Sequence, residues 1–228
     1  KLLFVTRQPY KVRHIYEDQD ANNMGGNLCV LSPVTPDGKV TELVPELSGG
    51  LFSRFDLSYD AKKLVFGYKE KDKAFRIYEI DIDPKSGQRI PGKDVRQLTF
   101  SNELEAKTME LYKGKFCGNG YDDVDPCYTP DGRIMFVSTR AHRAVLCRAV
   151  TATTLHVMEG DGSNMRCISG GQVNELAPGV LDDGRVVYPR WEYVDKGFAN
   201  AVSLWTVRPD GSGSEHVYKN TCVLPCAL

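Results

Sequence analysis

Short apolar runs separated by polar turns cover most of the chain, and very few of the runs have helical spacing. Four of them, Leu28-Cys29-Val30-Leu31, Ile77-Tyr78-Glu79-Ile80, Leu155-His156-Val157-Met158 and Leu204-Trp205-Thr206-Val207, have a strand pattern. Each is followed by a polar turn with glycine: Pro36-Asp37-Gly38, Lys85-Ser86-Gly87, Gly160-Asp161-Gly162 and Pro209-Asp210-Gly211. The four turn glycines stand 49, 75 and 49 residues apart. A period of ~40–50 residues is that of four-stranded blades, so the middle unit carries an insertion.

A second class of turn falls between these. Ser58-Tyr59-Asp60-Ala61, Thr129-Pro130-Asp131-Gly132 and Leu181-Asp182-Asp183-Gly184 each precede a compact apolar strand: Lys63-Leu64-Val65-Phe66, Arg133-Ile134-Met135-Phe136 and Arg185-Val186-Val187-Tyr188. Aspartate caps such a turn, glycine supplies its positive φ, and the branched and aromatic residues behind it fill the space between sheets. Two hairpins per period give four strands per unit. The one stretch with room for two or three helical turns is Asn102 to Tyr112. The expected fold is therefore all-β, a β-propeller with about four antiparallel four-stranded blades.

The expected organisation is a single propeller segment over residues 1–228, with loop insertions at about 10–26, 100–120 and 140–152. Propellers close with roughly 4–8 blades. Only 17 residues follow Gly211 and the sequence does not begin with Met, so a larger ring within a longer multidomain chain is expected.

Composition removes several classes of function. With 29 basic and 30 acidic residues the net charge is -1, which offers no general attraction for nucleic acid or an anionic membrane. No apolar run approaches the roughly 20 residues of a membrane helix, and Lys1 to Tyr10 lacks the order of a signal peptide. Seven cysteines leave at least one unpaired. None forms Cys-x-x-Cys or Cys-x-x-Cys-His, so neither a zinc ribbon nor a covalent haem site lies in this stretch. Nucleophile elbows, phosphate-binding glycine loops and His-Glu-x-x-His are also missing, which argues against a stand-alone hydrolase or nucleotide enzyme. No catalytic residue is named on these grounds.

The run Tyr121-Asp122-Asp123-Val124-Asp125-Pro126-Cys127-Tyr128-Thr129-Pro130-Asp131-Gly132-Arg133-Ile134-Met135-Phe136-Val137-Ser138-Thr139-Arg140 resembles the propeller of the hydrazine synthase alpha subunit family. Leu155 to Asn164, Arg190-Trp191-Glu192-Tyr193-Val194-Asp195, Ser203-Leu204-Trp205 and Arg208-Pro209-Asp210-Gly211 are similar to it in order and spacing. The Asp-Gly hairpins alone indicate the wider TolB-like class, and Arg190 to Asp195 narrows the resemblance. It implies an oxidoreductase of anammox bacteria, a multisubunit complex that combines nitric oxide and ammonium into hydrazine at haem c and zinc. Any haem is then attached outside this segment, which is not expected to be active alone.

In that family the zinc is held by an Asp, a Cys and a His from different parts of the chain. The resemblance points to Cys147 as the thiolate and to Asp18 or Asp20 as the carboxylate, with the His outside these residues. Arg143 and Arg148 would favour the Cys147 thiolate. An unpaired or disulfide-bonded loop cysteine is the plainer alternative, as a solvated loop is for His14, Glu17, Asp18 and Asp20. Arg190, Trp191, Glu192 and Tyr193 follow a strand of the last unit and suit a substrate or haem pocket, the arginine fitting a propionate. A structural anchor with Trp191 packed between blades is the other reading. Asp122, Asp123 and Asp125 are expected to accept backbone amides from adjacent blades rather than hold calcium, with Pro126 at a strand entrance.

The resemblance implies export from the cytoplasm and, in anammox cells, the anammoxosome. A second functional class stays open: a non-catalytic TolB-like propeller outside the cytoplasm, periplasmic in a bacterium of another kind, serving as a binding or interaction scaffold.

Overall fold

A computed structural model describes residues 1–9, 23–112, 118–144, 151–192 and 202–218. It contains four antiparallel sheets in chain order. The first holds β1 (Leu2–Arg7), β2 (Gly26–Ser32) and β3 (Lys39–Glu42). The second holds β4 (Leu51–Leu57), β5 (Lys63–Lys69), β6 (Arg76–Asp81) and β7 (Arg96–Gln97). The third holds β8 (Asp123–Tyr128), β9 (Ile134–Ala144), β10 (Thr151–Met158) and β11 (Arg166–Cys167). The fourth holds β12 (Asn174–Glu175), β13 (Gly179–Val180), β14 (Val186–Trp191), β15 (Val202–Val207) and β16 (Glu215–Tyr218), with β12 and β13 both paired to β14. The single α-helix among the described residues, α1 (Glu103–Tyr112), joins the second sheet to the third. Its amino end is capped by Asn102, whose Oδ1 accepts the Glu105 N–H at 2.9 Å.

The four sheets are the expected β-propeller blades. Five of the six Asp-centred turns share one geometry: Oδ1 of Asp60, Asp131, Asp161, Asp183 and Asp210 accepts the backbone N–H two residues on, over 2.9–3.4 Å. Among the positive-φ glycines of these turns the demand is strictest at Gly162, where φ is +88° and a Cβ would come within 2.5 Å of the Leu98 carbonyl. At Gly184 φ is +83° and the same space is open. Gly184→Ala meets only the left-handed penalty of about 1 kcal/mol. Gly162→Ala is expected to cost roughly 2–3 kcal/mol, and urea unfolding of the two variants side by side checks the difference.

The second strand of each complete blade is apolar on both faces because both faces are covered. Ile134 and Phe136 join Val65, Ile77 and Tyr128 between blades 2 and 3. Met135 and Val137 turn the other way, towards Val186, Tyr188 and Val207 of blade 4. Leu64 and Phe66 pack similarly against Leu28 and Val30 of blade 1. Period-two alternation is therefore replaced by continuous apolar runs.

Strand direction sorts the connections. Turns within hairpins, including every Asp-Gly turn, gather at one end, here called the turn end. The longer connections, from β1 to β2, β5 to β6, β7 to β8, β9 to β10 and β14 to β15, all leave from the opposite or loop end.

Candidate functional site

The loop end is held by charged side chains, within blade 3 at Asp123 and across the seam of blades 2 and 3 at Arg76. Asp123, fully buried at the start of β8, accepts Ser138 Oγ at 2.6 Å, Arg140 Nε at 2.9 Å and Arg140 Nη2 at 2.7 Å. Arg76, at the start of β6, donates to Glu105 Oε1 of α1 at 2.6 Å and to the Tyr121 carbonyl. The same Glu105 oxygen takes the Tyr121 N–H at 2.9 Å. The Tyr121 hydroxyl meets Nε2 of His142, and Thr108 Oγ1 of α1 lies 3.1 Å from that hydroxyl. Burial lowers the His142 pKa, favouring the neutral ring that this hydrogen bond uses. These bonds fix α1 and the far end of β9 on the blade 2–3 seam.

The seams of blades 2 and 3 and of blades 3 and 4 are also stitched by acids that accept a backbone N–H of the neighbouring blade. Asp122 Oδ1 takes Phe75 N–H at 2.9 Å, Asp125 Oδ2 takes Ala177 N–H at 3.3 Å, and Glu175 Oε2 takes Leu155 N–H at 2.8 Å. Asp122 and Asp125 thus do what their sequence suggests, whereas Asp123 binds side chains of its own blade. Pro126 lies inside β8, not at its entrance. A register shift between Val124 and Cys127 and a φ of 53° at Asp125 bulge the strand there, and an edge strand tolerates the missing N–H.

Enclosure pushes the Asp122 carboxyl up to about 6, partly offset by the Phe75 N–H and Lys69. Since this value is above the unfolded one, its contribution is fully present below about pH 4 and lost as pH rises through the folded value. The turn aspartates behave oppositely and lower down: Arg133 holds Asp131 at about 2, so its stabilisation fades only in strong acid. Asp122→Asn is expected to flatten the gain in stability from pH 8 to pH 5 by about 1–3 kcal/mol. Urea unfolding at both pH values measures this, and an unchanged slope contradicts it.

A second cluster lies on the seam of blades 3 and 4. A cavity of about 250 Å³ is lined by Glu175, Tyr188, Arg190, Ser214 and the Gly170-Gly171 backbone, among others. Burial raises the Glu175 pKa, against its bond to Leu155 and the charges of Arg190 and Arg143. Arg190 lies over the Trp205 ring, 4.6 Å from its centroid, and its Nε is buried with no hydrogen-bond partner. Glu192 Oε1 is 3.6 Å from that nitrogen. Trp191 points into the core at 1% exposure, paired in register with Asn174 and Val202.

The other expected site residues divide as follows. Asp18, Asp20, Cys147 and Tyr193 lie outside the described residues, as do His14, Glu17 and Arg148. Arg140 to Ala144, expected in a loop, continue β9, with Ala144 opposite Thr151 and Arg143 opposite Ala152. Arg143 donates to the carbonyls of Ser169, at 3.0 Å, and Gly171. Among the described residues no three His, Cys, Asp or Glu side chains are grouped to hold a metal ion, and Cys29, Cys127 and Cys167 are free thiols. Sequence reasoning missed the Arg76-Glu105-Tyr121-His142 chain, whose members stand 16 to 66 residues apart with no shared motif. It also missed a cleft of about 340 Å³ where β4, β8 and β13 converge at the turn end, lined by Asp56, Tyr59 and Cys127 among others.

This arrangement has the fold of the TolB-like β-propellers. TolB from Agrobacterium tumefaciens superposes with a TM-score of 0.54 at 20% identity, over 85% of this chain and 57% of that one. TolB from Acinetobacter baumannii gives 0.54 at 12% identity, over 87% and 39%. A puromycin hydrolase gives 0.58 at 12% identity, over 86% and 27%. The likeness is one of fold, and the chain spans little more than half of even the Agrobacterium protein. No family model and no curated protein matches the sequence. No described helix is long and apolar enough to cross a membrane.

Proposed function

We propose that this propeller belongs to a hydrazine synthase alpha-like redox protein and that its loop end borders a haem and zinc site completed by other parts of a multisubunit complex. Strand direction is the observation that carries the reading. The segments singled out by the sequence resemblance, around residues 10–26, 140–152 and 190–195, all adjoin strands that start or finish at the loop end. Helix α1 at the same end leaves Leu104 59% and Leu111 73% exposed, an apolar surface suited to a neighbouring subunit.

Arg190 fits a haem propionate because its buried Nε still has a hydrogen bond to give. When bound, haem supplies the redox chemistry. This chain's part is to orient the propionate through Arg190, to hold that guanidinium against Trp205, and to keep α1 and β9 rigid through Asp123 and Glu105. Cys147 with Asp18 or Asp20 would hold zinc. Haem c attachment places such a protein outside the cytoplasm, in the anammoxosome of an anammox cell.

The test is zinc content and an optical haem spectrum on the protein taken from its native source with its partners retained. About one zinc per chain and a c-type Soret band are expected. Neither, in an intact complex, leaves a propeller scaffold without a redox site.

A further inference from the structure

We infer that the cavity on the seam of blades 3 and 4 is a binding site for a carboxylate carried on a short apolar or aromatic stem, with Arg190 as its anchor. The cavity measures about 250 Å³, and roughly 150 Å³ is enough to hold benzene. Its floor is buried and its mouth is open. Leu155, Tyr188 and Val207 are 1–3% exposed, whereas Gly170 and Ser214 are exposed. These two rim residues lie beside β11 and β16, the last strands of blades 3 and 4, so a small molecule enters from the outer rim of the seam.

The polar groups on the wall select a carboxylate. The Arg190 guanidinium lies over the Trp205 ring, and its buried Nε has no hydrogen-bond partner among the described residues. Glu192 Oε1, at 3.6 Å, is too far to take that proton. A carboxylate laid side-on accepts from Nε and a neighbouring Nη together, which removes the cost of the ungiven N–H. Gly171 leaves room beside the guanidinium, since a Cβ there would stand 3.1 Å from Nη2. The Tyr188 and Ser214 hydroxyls stand 3.2 Å apart, and one bond between two hydroxyls leaves one O–H to give.

Glu175 is the acid on the wall. Its Oε2 accepts the Leu155 N–H at 2.8 Å, and burial raises its pKa. It therefore takes up a proton more readily than a solvated carboxyl and can donate to a bound carboxylate instead of repelling it. Leu155, Ile168 and Val207 supply the apolar wall for the stem. Such a carboxylate has two sources, a free small acid or the propionate of haem. The first stands without the redox reading, and the second rests on it.

Calorimetric titration of the protein with benzoate is expected to show a single saturable site. Benzamide, of the same shape without the charge, is expected to bind about tenfold more weakly or worse, and Arg190→Gln to weaken benzoate by a similar factor. Ser214→Trp, at the exposed mouth, leaves Arg190 in place and is expected to abolish uptake, so the test stays open should Arg190→Gln fail to fold. No saturable benzoate binding, equal affinity for benzamide, or affinity unchanged in either variant overturns the inference. Ferric haem added before benzoate separates the sources: haem that blocks benzoate marks a propionate as the occupant, and haem that does not marks a free acid, the site standing in both cases. A native complex with neither haem nor zinc removes the redox reading and leaves the free-acid site untouched.

Discussion

Asp123→Ala is expected to lower the free energy of unfolding by about 3–5 kcal/mol. For a domain of this size that is a fall in Tm of roughly 6–20 °C. The Asp123 carboxylate is fully buried, and both its oxygens are taken up by the Arg140 guanidinium, whose side chain is only 10% exposed. Arg76 Nη1 stands 3.9 Å away on the other side. Truncation leaves these cations in low dielectric without their counter-charge, and the cost of that exceeds the worth of any single hydrogen bond. Arg140→Met added to Asp123→Ala removes the stranded charge and is expected to recover part of the loss. Thermal and urea unfolding of the single and double variants measure both steps; a loss below about 1 kcal/mol for Asp123→Ala would mean that the pair does not brace the loop end.

Trp191→Ala is expected to cost about 3–5 kcal/mol, because a wholly buried indole leaves a cavity between β12 and β15. Arg190→Gln is expected to cost only about 1 kcal/mol, since what it loses is the contact of its guanidinium with the Trp205 ring and a long ion pair with Glu192. Adjacent residues of β14 therefore have separate consequences: Trp191 holds blade 4 together, and Arg190 faces the cavity with donor capacity to spare. Parallel urea titrations decide this. Equal losses for the two variants would place Arg190 in the structural core as well and remove it as a ligand contact.

Much of the fold is legible in the residues because propeller repeats encode local geometry. Turn glycines mark positions of positive φ, Asp side chains cap the turns, and apolar runs mark strands covered on both faces, so the four described units follow from spacing. Asn102 to Tyr112 was legible only as a stretch with room for two or three helical turns, and its cap by Asn102 appears in the structure alone. Cross-seam chemistry is harder to read. Asp122, Asp123 and Asp125 look alike in sequence, yet the bulge at Asp125 and Pro126 separates their directions, so two reach neighbouring blades and one binds Arg140. Glu105 lies on a largely polar helix, and nothing local indicates that it meets Arg76 and Tyr121.

Cross-linking mass spectrometry on the native complex, with a lysine-reactive reagent, tests most directly whether the loop end is the working face. Lys71 and Lys73, between β5 and β6, and Lys107 on α1 stand at the loop end, while Lys39, Lys62 and Lys85 mark the turn end. Under the proposed function, cross-links from the haem-bearing parts of the assembly fall on Lys71, Lys73 and Lys107. Links confined to Lys39, Lys62 and Lys85 would contradict the proposed placement of a redox site at the loop end.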